Sequence, residues 1–230
     1  MKLVREYINE SVGIRPVRYV PPFKGDIDLS HKNLTELPKD LPKKITGSFY
    51  CNDNKLTSLK GSPKSIGIDF YCYNNNLTSL KGAPTLVNVN FYCNNNKLIS
   101  LEGAPTSVGK SFYCSYNNLT SLEGSPMLVG GGFYCDCNNL TSLEGAPISV
   151  GKGFYCRNNN LTSLVGAPTS VGESFYCYDN NLISLEGAPT LVGGNFYCRK
   201  NNIPKEEIER YYKTGAVQGT IYSDHGEYKK

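Results

Sequence analysis

The chain contains two histidines, His31 and His225, and neither sits beside a Cys, Ser or carboxylate in the pattern of a nucleophile with its base. No phosphate-binding glycine loop and no metal-ligand spacing occurs, so the expectation is a protein with no catalytic centre, no cofactor and no metal site. No apolar run approaches the ~18 residues of a membrane helix, and Met1-Lys2-Leu3-Val4-Arg5 leads into charge rather than a secretory apolar segment. The expected setting is therefore the cytoplasm, without a membrane. Basic residues are also scarce where a nucleic-acid groove would need them. Residues 1–64 carry 12 Lys and Arg against 7 Asp and Glu, residues 65–198 carry 5 against 8, and residues 199–230 carry 7 against 5. An array built to follow phosphates is basic along its length, and this one is basic only at its ends, which argues against nucleic acid as partner.

Repetition dominates what is present. Phe-Tyr-Cys occurs eight times, starting at Phe49, Phe70, Phe91, Phe112, Phe133, Phe154, Phe175 and Phe196, always 21 residues apart. A period of this length held without slippage specifies a stacked solenoid, in which equivalent residues form columns about 4.8 Å apart. Alternation places Phe and Cys inside the coil and Tyr outside. Leu119, Leu122 and Val129 and their equivalents supply further core columns, and Gly-x-Pro, as at Gly124 and Pro126, marks the turn into the return path. The residues left for that path are too few for a full helix, so extended or 3₁₀ segments are expected. Ile27-Asp28-Leu29 is expected to add a ninth strand.

Eight of the nine cysteines fall in one column, each facing only its own copies. Parallel strands hold such Cβ atoms wider than the ~3.8 Å of a disulfide, so the thiols read as reduced core residues, and only Cys137 leaves the register. Asn54, Asn75, Asn96, Asn117, Asn138, Asn159, Asn180 and Asn201 form an unbroken amide column. It is expected to bond the backbone of the bend in its own and adjacent coils.

The pattern Val-x3-Phe-x-Cys-x2-Asn-x-Leu-x2-Leu resembles the leucine-rich repeat, with Phe and Cys in place of two leucines. Asn117-Asn-Leu-Thr-Ser-Leu122 and Leu34-Thr-Glu-Leu-Pro38 are most similar to its short bacterial type. The resemblance covers roughly residues 26–203. The extra residue between Val and Phe, and Gly-x-Pro where Leu-Pro is usual, are departures from it. It implies a β-rich, right-handed solenoid with a parallel sheet on the concave face, terminal helical caps, and a partner protein bound on that face.

The organisation expected is an N-terminal helix and linker over 1–25, the solenoid over 26–203, and a cap helix with tail over 204–230. Leu3, Val4, Tyr7 and Ile8 fit one face of a short helix. The same segment, Met1 to Ser11, resembles the leaders of internal head proteins of large tailed bacteriophages, in which a phage protease cuts after Ile or Leu, any residue, then Glu. Ile8-Asn9-Glu10 followed by Ser11 fits that rule, so Glu10 and Ser11 are the candidate cleavage point. A packaged structural protein in the virion interior is the alternative to a binding module.

The candidate partner-binding residues lie on the open face of the sheet. The Tyr column, including Tyr71, Tyr92, Tyr113, Tyr134, Tyr155, Tyr176 and Tyr197, is constant, while the residues two and three further on change from coil to coil: Tyr73, Tyr116, Asp136, Arg157, Tyr178 and Arg199 are their distinctive members. Tyr is enriched in binding hot spots, but a strand-favouring ring stacked on its own copies also serves the scaffold, and the sequence leaves both readings open. With its ends capped, the solenoid is expected to be a monomer whose partner is an unidentified protein.

Overall fold

The computed structural model describes residues 21–229. The segment expected to form an N-terminal helix and the candidate Glu10–Ser11 cleavage point lie outside them. The chain is a parallel-sheet β-solenoid with 21-residue coils. Its main sheet has eleven strands: Ile27–Asp28, the eight Phe-Tyr pairs from Phe49–Tyr50 to Phe196–Tyr197, then Ile221–Ser223 and Gly226–Tyr228. Every Phe-Tyr strand pairs in parallel with its copy, Phe on Phe and Tyr on Tyr, as at Phe112↔Phe133 and Tyr113↔Tyr134. Because a one-residue slip would turn every Phe outward, burial of that column fixes the register.

A second, eight-stranded parallel sheet runs along the return path, from Lys44–Ile45 to Leu191–Val192. The extended return path was expected, but its pairing into a sheet was not. Once the coils are in register, the extended segment before each Val lies beside its own copy and hydrogen-bonds to it.

The core is a set of columns. All eight Phe rings and the Leu56 and Leu59 columns are buried, and the eight column cysteines are buried and unbridged. Each column thiol from Cys93 to Cys198 lies near the carbonyl of the tyrosine in the following coil, with Cys93 Sγ 3.2 Å from Tyr113 O. Burial raises their pKa, that of Cys198 to about 12, so these are inert thiols. The Asn column behaves as its position requires. Asn117 Nδ2 donates to the carbonyls of Cys93, Cys114 and Ser115, while its Oδ1 accepts from Leu98 N at 3.0 Å. At the turn, Gly124 has φ 83°, and a Cβ there would lie 2.6 Å from the Glu102 backbone nitrogen. Only glycine lets the coils close to their stacking distance at that point.

The C-terminal end is closed by side chains of three kinds. A helix spans Lys205–Lys213, with Glu206 and Glu207 in its first turn and Arg210 and Lys213 in its last, the charge order its dipole favours. Ile208 and Tyr211 are buried, and the Tyr211 ring lies 5.1 Å from that of Phe196. Glu207 Oε2 accepts from Leu185 N at 3.3 Å. Beyond Gly215 the chain returns to the main sheet, where Ile221 continues the Phe column and Tyr222 the Tyr column.

Candidate functional site: the tyrosine face

Nine tyrosines, Tyr50 to Tyr197 and then Tyr222, form one continuous stack. Neighbouring ring centroids are 4.3 to 4.7 Å apart with planes within 10° of parallel. The buried Phe rings on the other side of the same strands are spaced more widely, from 5.1 to 5.7 Å. The tyrosine rings are thus packed face to face more closely than the rings of the core column behind them.

The stack changes what this face offers. Ring faces are covered by neighbouring rings, so each half-buried Tyr presents its edge and its hydroxyl. At two points the hydroxyls are tied to the neighbouring column: Tyr71 donates to Asp69 Oδ2 at 3.0 Å, and Tyr197 accepts from Asn195 Nδ2 at 3.0 Å. Desolvation first raises the pKa of Tyr71, Tyr92, Tyr134 and Tyr155, that of Tyr92 to about 12; the Asp69 carboxylate adds to it at Tyr71 and the neighbouring phenols at the other three. The face is thus a ridge of ring edges and neutral hydroxyls rather than a platform for ring-on-ring stacking.

A column of small polar residues runs beside the ridge and was not singled out in the sequence. Ser48, Asp69, Asn90 and Ser111 each accept the backbone N–H of the equivalent residue one coil on, as in Asn90 N to Asp69 Oδ1 at 2.8 Å. Gly132 and Gly153 interrupt it. A Cβ at Gly132 would lie 2.8 Å from Tyr134 Cε2, so the ring occupies the space a side chain would need.

On the other flank the structure gathers most of the off-pattern residues. Asp136 is buried, 5% exposed, and accepts Arg157 N at 3.2 Å through Oδ1. Arg157 Nε lies 3.4 Å from the same oxygen as an ion pair, yet it is buried and makes no hydrogen bond among the described residues. Arg157 Nη1 donates to the Tyr178 hydroxyl, and its guanidinium carbon stands 5.6 Å from the Tyr178 ring centroid. Burial outweighs the arginine charge and pushes Asp136 up to about 6. Asp136 thus lies buried beneath Arg157 and holds that side chain from below, and of the pair it is Arg157 that reaches the surface.

Tyr116, Cys137 and their equivalents occupy the bend bordering this face, all with φ between 51° and 56°. Asn and Asp fill most of the column, as the left-handed region favours. Tyr116 is the bulky exception; it is 57% exposed, and Cys137 in the next coil is half-buried. Tyr73 is half-buried with its ring edge-on to Tyr71 at 6.3 Å, and Tyr176 lies inside the stack. Arg199 is exposed, its guanidinium 5.4 Å from the Tyr222 ring and 3.5 Å from Glu227. Tyr178, Tyr197, Arg199 and Lys200 line an open recess of about 220 Å³, below the ~300–1,000 Å³ of small-molecule sites. The histidines lie at opposite ends of the array: His31 Nε2 is 3.5 Å from Asp53 in the first coil, and His225 Nε2 is 2.8 Å from Ile203 O in the last. Among the described residues no group of His, Cys, Asp and Glu could hold a metal ion, and no helix is long and apolar enough to cross a membrane.

No protein-family model matches the chain, and no curated protein matches it. A solved structure, YopM from Yersinia enterocolitica WA-314, is similar at 20% sequence identity with a TM-score of 0.48. The similarity covers 77% of this chain and 47% of that one, so the chain spans about half the length of that protein.

Proposed function

We propose that the chain is a non-enzymatic interaction module that binds a partner protein across its tyrosine-striped concave face. The observation that carries this reading is the pairing of a constant column with a changing one. Nine stacked tyrosines fix a rigid ridge, and the column beside it presents Tyr73, Asn94, Arg157, Tyr178 and Arg199 to the surface, with Asn52, Ser115 and Asp136 buried between them. Rigid aromatic edges lose little conformational entropy on contact, and the variable column gives the surface its selectivity.

Replacing Tyr113, Tyr134 and Tyr155 together with Ser tests it. These side chains are half-buried on the opposite side of the strands from the buried Phe column, so the coils should remain folded. The partner, identified by proximity labelling in cells that express the chain, should no longer be captured. A control triple, Thr120, Thr141 and Thr162 to Ala, alters an exposed column elsewhere and should leave capture intact. Unchanged capture by the Tyr-to-Ser protein would overturn the reading.

A further inference from the structure

We infer that the C-terminal half of the concave face recognises an acidic segment of the partner protein, held extended with two carboxylates three residues apart. This rests on the interaction reading above and names the chemistry of its partner.

Only three arginines lie among the described residues, Arg157, Arg199 and Arg210. Two of them, Arg157 and Arg199, stand in a single column of the tyrosine face, two coils apart, with Tyr178 between. The four coils before Asp136 place Asn52, Tyr73, Asn94 and Ser115 in that column, so its arginines are confined to one end of the face, where Asp136 and Glu227 pair with them and Asp179 with Lys200 in the adjoining bend.

Both guanidiniums are fixed in advance. Arg157 is held by Asp136 below, the Tyr178 hydroxyl beside it and the Tyr178 ring, and Arg199 lies over Tyr222. An arginine stacked on a ring keeps its planar donors outward and loses little freedom on meeting a carboxylate. The intramolecular acid opposite Arg199 is Glu227, 3.5 Å away, in a pair whose side chains are 51% and 39% exposed. Exposed pairs of this kind are weak and exchange readily with an incoming acid.

Spacing then selects the ligand. Two coil steps separate the arginines by roughly 10 Å. A polyproline-type segment rises ~3.1 Å per residue with three residues per turn, so acids at i and i+3 share a side and stand ~9.3 Å apart. Lying along the column, such a segment meets both guanidiniums and sets its intervening residues against Tyr178 and the exposed edge of Tyr197. Its free backbone carbonyls, which polyproline geometry leaves unbonded, can accept from the tyrosine hydroxyls.

The test uses the full chain and three fluorescent probe peptides of equal length, measured by anisotropy at low and physiological salt. One carries Glu-Pro-Pro-Glu, one Gln-Pro-Pro-Gln, and one the same charge as Glu-Glu-Pro-Pro. The first should bind at least roughly tenfold tighter than the other two, and R199Q should remove roughly tenfold or more of that affinity. R157Q should do the same, with its melting curve recorded because it leaves Asp136 without its cation; R199Q strands no buried acid and carries the decision if R157Q is unstable. Equal binding of the three probes, or full affinity in R199Q, overturns the inference. So does a single-stranded oligonucleotide that binds more tightly than the acidic peptide, which would make the arginines a phosphate site. If the peptide fails while partner capture still depends on Tyr113, Tyr134 and Tyr155, only this inference falls; if capture survives their loss, the interaction reading itself falls.

Discussion

Asp136 destabilises the coil that contains it, and substitution should reveal by how much. Its carboxyl is 5% exposed, and the thiols of Cys114, Cys135 and Cys156 and the phenol of Tyr155 are near enough for its charge to raise their own pKa. Burial therefore dominates, and Arg157 offsets it only in part, leaving Asp136 at about 6 against the ordinary 3.8. The folded state holds this proton more tightly than the unfolded state, so stability is lost as pH rises from about 4 to about 6, and the whole cost is present above that. At 1.36 kcal/mol per pH unit the cost is on the order of 3 kcal/mol. Asp136→Asn keeps the shape and removes the charge. Urea unfolding followed by circular dichroism, in reductant, should show the variant more stable than the parent by up to about 3 kcal/mol near pH 7.5 and no more stable near pH 4. The difference between the two proteins isolates this group from other carboxylates that titrate in the same range. A variant less stable than the parent at pH 7.5 would refute the reasoning, because it would make the Asp136–Arg157 pair a net stabiliser of the fold.

Two further predictions concern the columns. Asn117→Ala leaves the buried Leu98 N–H and the carbonyls of Cys93 and Cys114 without their side-chain partner, and should cost about 3 kcal/mol, whereas Asn201→Ala at the less buried end of the column should cost less; equal losses in thermal melts would show that burial of the amide is not what matters. In the native protein a thiol reagent such as Ellman's should label Cys137 alone, with the eight column cysteines reacting only on unfolding, and rapid native labelling of a second thiol would contradict the core packing.

The fold was legible because the period is strict. A 21-residue step without slippage fixes which residues are neighbours, and alternation about Phe-Tyr-Cys fixes which of them face inward. The Val column was read only as core, and its second sheet escaped notice because each strand is two residues long, too short to show alternation. A small hairpin within 216–228 is readable in the sequence, but its joining the main sheet was hidden by spacing: Ile221-Tyr222-Ser223 repeats the apolar-aromatic-small order of Phe-Tyr-Cys but begins 25 residues after Phe196, because the cap helix intervenes. The left-handed bend did leave a signal, since five of its eight positions from Asp53 to Lys200 are Asn or Asp. The burial of Asp136 left none. It depends on how Arg157 folds over the carboxylate, which is a matter of side-chain geometry rather than pattern.

The departures from pattern have a distribution of their own. In the first coils the column beside the tyrosines and the bend next to it carry mostly Asn and other small polar residues, which satisfy the backbone and tolerate the left-handed turn. From the fourth Phe-Tyr-Cys coil onward this changes: Tyr116 takes a conformation that disfavours bulky side chains, Asp136 is buried with a charge, and Arg157 keeps a buried Nε without a hydrogen bond. Each of these costs stability where a residue already used elsewhere in the same column would not. Asn52 Oδ1, in the first Phe-Tyr-Cys coil, is likewise buried without a hydrogen bond, so such a cost is not confined to one end; the bulky left-handed residue and the buried carboxylate do fall in successive coils, beside Arg157 and next to the recess of Tyr178 and Tyr197.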